Sequence, residues 1–132
     1  MKPRFRAWDV LAEKMIDEIL MISFVRKEII GKFSDGSTSV PLKFEDERNG
    51  EDVILMQSTG LRDKNGKEIF EGDVLTSQNY PTKGVVEFRT SLGMWVNCLK
   101  EYSYYEYLSN VASSREIIGN IYENPELLED KE

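Results

Sequence analysis

Histidine is absent from this chain of 132 residues, and its absence closes most of the catalytic chemistry otherwise open to a small protein. Without it the commonest general base, the Ser-His-Asp and Cys-His arrangements and most zinc sites are missing. Cys98 is the single cysteine, which excludes an internal disulfide; beside Trp95 and Val96 it reads as a small buried apolar residue, not a reactive thiol. Asp63 and Asp73 are carboxylates that acid/base catalysis would have to bring together, but nothing in the sequence makes them converge. Asn65-Gly66-Lys67 matches a phosphate-binding loop only in passing, because the Gly-rich run and its final Ser or Thr are lacking. The acidic stretch Glu45 to Asp52 lacks the spaced oxygen ligands and bend glycine of a calcium loop, so it reads as a solvated connection. No catalytic residue, cofactor or metal is therefore expected, and the chain reads as non-enzymatic.

Binding is what remains. Lys2, Arg4 and Arg6 alternate along a presumptive strand, which sets Arg4 and Arg6 on one face and Phe5 and Ala7 on the other. They are the best candidates for nucleic-acid contact. With 24 acids against 17 bases the net charge is −7, and residues 32–132 hold nineteen acids against eleven bases. A duplex binder needs a dense basic face, so charge disfavours this reading. Tyr102, Tyr104, Tyr105 and Tyr107 crowd one segment. Single-strand readers place such rings along a basic groove, whereas the neighbours here are Lys100, Glu101 and Glu106. A short helix with Tyr105 and Leu108 inward is expected, and its tyrosine-rich outer surface suits a protein interface.

Stepping out to the elements, Asp52 to Thr76 is the most clearly organised stretch. Val53 to Met56 reads as a strand closed by a turn at Gln57 to Gly60, and Asn65-Gly66 as a type I′ hairpin turn. Lys67 to Phe70 is the return strand. Glu71-Gly72-Asp73 then makes a corner into Val74-Leu75, with glycine for the bend and aspartate to accept backbone N–H groups. Gly84 to Arg89 and Met94 to Cys98 form a hairpin across Ser91-Leu92-Gly93, after a polar loop that contains Pro81. Glu116 to Ile121 is the final strand, with Ile117 and Ile121 on one face and Gly119 marking a bulge or a close backbone approach. Pro125 to Leu128 begins a short turn or helix. Earlier, Arg4 to Trp8 is a first strand, and Gly31 to Phe33 with Ser39 to Phe44 flank an Asp35-Gly36 hairpin tip. Residues Leu11 to Ile30 carry two readings. Leu11, Met15, Ile19 and Ile22 fall near helical spacing, while Ile19 to Val25 is apolar enough for a buried strand.

The segments KPRFRAWD, TGLRDKNGKEIFEGDVL, GVVEF and REIIGNIYENPELL together resemble the YopX family of bacteriophage and prophage proteins. The resemblance covers the opening segment and most of the second half, and does not extend residue by residue between Val10 and Asn49. It implies a β-rich fold, a phage origin and a strand pairing back on the FRAWD strand, and it brings no established activity. Thr59, Arg62, Glu123 and Asn124 lie in the matching segments without an evident packing role. They join Tyr102, Tyr104 and Tyr107 as candidate interaction residues. Gly60, Asp63, Asn65, Gly66, Gly72, Asp73 and Gly119 are expected to serve turns and backbone shape.

The expected architecture is mainly β: a small SH3-like or related barrel over residues 51–128, with an N-terminal β-hairpin part over 1–50, one or two short helices and a frayed tail at 129–132. One domain of this length can bury a modest core. No run reaches the roughly 20 apolar residues of a membrane helix and the start lacks a signal peptide, so a cytoplasmic location without membrane contact is expected. The expected partners are the chain itself, as a homo-oligomer, and a phage or host protein.

Overall fold

The computed structural model describes residues 4–46, 50–77 and 82–129. Expectations that fall on Lys2, on Glu47 to Asn49, on Pro81 and on residues 130–132 lie outside them. The chain is mainly β and divides into two compact units, Met1–Gln57 and Ser58–Glu132, the division falling inside one strand. The strands form open antiparallel sheets, and no closed barrel is found among the described residues.

In the N-terminal unit, β1 (Phe5–Asp9) lies between β2 (Lys14–Ser23) and the first half of β5 (Val53–Arg62). Beyond β2 follow β3 (Glu28–Phe33) and the two-residue β4 (Leu42–Lys43). Asp9 closes the β1–β2 turn, its Oδ1 accepting the Ala12 N–H at 2.9 Å. The β3 hairpin tip forms at Asp35-Gly36, where Asp35 Oδ1 accepts the Ser37 N–H. Ala7, Ile16, Ile29, Phe44 and Val53 form the buried core, with Ile19 and Ile22 packed against it.

Residues 14–23 are strand, and the structure shows why they resemble a helix. The β2–β3 register shifts between Ile16 and Glu18 and again between Ile19 and Met21. Each shift adds a residue to the bulged strand. The inward residues Ile16, Ile19 and Ile22 therefore fall three apart, a spacing that alternation cannot give and that imitates a helical stripe.

In the C-terminal unit, the second half of β5 pairs with β6 (Glu68–Phe70), and β10-β9-β8-β7-β11 form a five-stranded sheet. Its strands are β7 (Asp73–Thr76), β8 (Gly84–Arg89), β9 (Met94–Leu99), β10 (Tyr104–Tyr107) and β11 (Glu116–Asn120). Val86, Leu75, Ile69, Leu108 and Ala112 form its core, with Leu61, Trp95 and Ile117 against them.

Four expectations need correction here. The Val53 strand does not stop at Gln57 but continues to Arg62, because Thr59-Gly60-Leu61 bulge opposite β6 without leaving the sheet. Gly60, at φ +78°, and the Thr59 hydroxyl, which donates to the Ile69 carbonyl at 2.8 Å and accepts the Leu61 N–H, hold the bulge. The Asn65-Gly66 turn is not type I′, since Asn65 has negative φ and only Gly66 is left-handed, at φ +82°. With the Gly66 N–H bonded to the Asp63 carbonyl, it is a type I turn closed by a left-handed glycine. The tyrosine segment is not a helix over its length: a 3-10 turn (Lys100–Tyr102) leads into strand β10, and the single-turn α1 covers only Leu108–Val111. Finally, Ile121 lies beyond β11, and the bulge between Ile117 and Gly119 breaks the even count that would put the two isoleucines on one face.

Candidate functional site

A concave site on the C-terminal unit begins with one polar residue in an apolar strand. In β9, Met-Trp-Val-Asn-Cys-Leu, Asn97 stands opposite Val86 of β8 and Glu106 of β10. Asn97 is buried, and its Nδ2 donates to Glu106 Oε2 at 3.0 Å. Arg115, just before β11, completes the group: its Nε donates to Glu106 Oε2 at 3.0 Å and its second terminal nitrogen to Oε1 at 2.7 Å. Burial works against the Glu106 charge, but hydrogen bonds from Arg115 and Asn97 and the guanidinium charge outweigh it and hold the carboxyl below the ordinary glutamate range. Glu106 is thus held ionised at neutral pH. Beside it opens a cavity of about 460 Å³ lined by Ser77, Thr82, Leu99, Tyr102, Tyr104, Glu106 and Arg115.

The four tyrosines do not act as one surface, because strand alternation divides them. Tyr104, opposite Leu99, shares the face of Glu106 and the cavity. Tyr105 and Tyr107 lie on the other face, their ring centroids 6.1 Å apart, and the Arg89 guanidinium sits 4.7 Å above the Tyr105 ring. Tyr102, Tyr104 and Tyr107 are all exposed, whereas Tyr105 is half-buried. Nearby, Glu87 accepts a hydrogen bond from Lys100 at 2.8 Å and so keeps its ammonium protonated to higher pH than usual.

The other candidate interaction residues are placed by bonds within the chain. Thr59 holds the β5 bulge, and Arg62 donates to the Gly66 carbonyl at 2.8 Å. Glu123 accepts from Asn120 Nδ2, and Asn124 Oδ1 accepts the Asn120 N–H. Arg4 and Arg6 are each engaged within the chain, and Arg4 lines a shallow groove with Phe5, Asp17 and Phe24.

The turn residues do more than turn. Asp63 is buried and accepts three backbone N–H groups, from Asn65 and Lys67 in its own hairpin and from Ile117 in β11. Burial opposes its charge, and those three bonds together with Lys67 prevail, leaving its pKa lowered. Asp73 accepts the Phe70 N–H at 2.8 Å, so both carboxylates are committed to backbone. No cluster of metal-ligating side chains occurs among the described residues. Cys98 is a half-buried free thiol.

Sequence reasoning did not select Asn97, Arg89 or Arg115. The available signal was Asn97, an amide within an apolar strand that needs a buried partner. Aligning the β8–β9–β10 hairpins leads from it to Glu106.

The family model described as YopX protein matches residues 4–129. The fold is similar to protein EF1440 from Enterococcus faecalis, at 29% identity and TM-score 0.64, covering 98% of this chain and 99% of that one. It is also similar to protein yopX from Bacillus subtilis, at 26% identity and TM-score 0.58, with 97% of each chain covered. A search of curated proteins found no match.

Proposed function

The chain belongs to the YopX family, and from that premise we propose that it is a non-enzymatic, phage- or prophage-encoded protein-interaction module that assembles as a homo-oligomer in the bacterial cytoplasm. The observation that carries this reading is the exposure of large apolar side chains in both units. Tyr102 and Tyr104 are 63% and 61% exposed at the sheet edge of the C-terminal unit, a surface suited to a partner protein. In the N-terminal unit, Met21, Phe24 and Val25 cluster around the β2–β3 turn, Val25 being 96% exposed, and self-association would cover them. The Gly72-Asp73 corner opening β7, and the β5–β6 turn bonded to β11, support kinship of the C-terminal unit with SH3-like barrels. No helix among the described residues is long and apolar enough to cross a membrane.

The second reading is a nucleic-acid-binding accessory protein acting through Arg4 and Arg6. An acid excess and the intramolecular engagement of both arginines weigh against it. Titration with single-stranded DNA across a salt series separates the two. A signal equal to that of an unrelated acidic protein is expected; binding that weakens steeply with salt, the mark of counterion release, overturns the proposal.

A further inference from the structure

The two edges of the five-stranded sheet are treated differently. At β11, the β5–β6 turn caps the outer side: the Lys64 N–H bonds to the Arg115 carbonyl and Asp63 accepts the Ile117 N–H. At β10, among the described residues, no further strand follows. Among the described residues Tyr104 to Tyr107 pairs with β9 alone; it has neither proline, lysine nor bulge, and its one charge, Glu106, is already taken up by Asn97 and Arg115. Its side chains also differ by face. On one side lies the cavity walled by Leu99, Tyr102 and Tyr104; on the other, the Tyr105–Tyr107 pair, over which an arginine of the chain already stacks.

We propose that β10 is a docking edge for an extended basic segment of a partner protein, which adds to the sheet as a further strand. This rests on the reading of the chain as a protein-binding module and names the partner's chemistry. Main-chain hydrogen bonds to an open edge supply affinity without sequence preference, and the alternate side chains supply specificity. One set of side chains enters the cavity, where the charged residues among the described lining, Glu106 and Arg115, neutralise each other, so apolar residues suit it. The other set meets the Tyr107 ring, the more exposed of the pair; aromatic faces attract cations, as Arg89 over the neighbouring Tyr105 shows. Net charge points the same way. Residues 58–132 carry thirteen acids and eight bases, so a basic segment is drawn to this unit and a second acidic copy is repelled. The segment therefore alternates Arg or Lys with apolar residues.

The test is calorimetric titration of the full chain with a hexapeptide alternating arginine and valine. Three controls accompany it: the same peptide N-methylated at alternate residues, a glutamate–valine peptide and an oligo-dT strand. Binding is expected for the first peptide, weakening about tenfold between low and physiological salt as screening grows, and lost on backbone methylation. Tyr107→Ser should weaken it severalfold while the near-UV circular dichroism still reports a folded chain. Equal binding of the methylated or acidic peptide overturns the proposal, as does binding of oligo-dT in place of peptide. Failure of all three peptides with a chain that still self-assembles removes this docking edge and leaves the assembly reading standing.

Discussion

Asp63 shows how much one side chain can hold. Its carboxylate takes three backbone N–H groups from two segments distant in sequence, so Asp63→Ala leaves all three without their acceptor inside a buried corner. A loss of about 3 kcal/mol is expected from chemical denaturation, at the upper end for a bond to a charged group because the three are not additive. Since the folded pKa is depressed, this contribution is fully present above the unfolded aspartate value and is lost as pH falls through the folded one. Glu106 behaves in the same sense. Stability should therefore decline below about pH 4, and the decline should be shallower in Asp63→Asn. Gly66 and Asn65 give a paired prediction. Only Gly66 is left-handed, so Gly66→Val should cost about 1–2 kcal/mol, whereas Asn65→Ala should shift thermal unfolding little. Equal effects would restore the type I′ turn. That asymmetry was not legible in the Asn-Gly dipeptide, which serves both turn types.

At the scale of elements, the sequence located most strands, left β2 between two readings, took β10 for helix and misjudged where strands bulge. Pattern reading assumes strict alternation, and β2, β5 and β11 each break it. Hence the helical look of residues 14–23, the false stop at Gly60 and the false pairing of Ile117 with Ile121. Only long-range pairing fixes a bulge, and a single strand's residues do not record its partner's register. Gly119 was legible as a bulge or close approach, and both are present: a Cβ there would lie 2.4 Å from Asn124 Oδ1. The candidate site was legible in its tyrosines and not in the Asn97–Glu106–Arg115 group, which exists only once β9 and β10 are in register and the residue before β11 is brought to them. Packing within that group makes a prediction across strands. A Cβ on Gly84 would fall 2.2 Å from Asn97 Oδ1, so Gly84→Ala should destabilise by about 1–3 kcal/mol through overpacking. Asn97→Ala removes the obstacle, and the double variant should be less destabilised than the two singles summed. Strict additivity would show that the contact does not carry the cost.

Considered whole, the chain builds two hydrophobic cores, one per unit, and each leaves apolar side chains facing solvent. A net charge of −7 opposes association of copies at low ionic strength, and buried apolar area favours it at any ionic strength. The proposed assembly should therefore tighten as salt is added, opposite to the behaviour of a complex held by phosphate contacts. Light scattering of the purified chain, at two concentrations and two salt levels with nucleic acid read from absorbance, tests this most directly. A defined oligomer free of nucleic acid, firmer in high salt and weakened by the paired substitutions Met21→Ser and Val25→Ser, is the predicted result. A monomer at every concentration, or a particle whose nucleic acid is released by salt, would contradict the account.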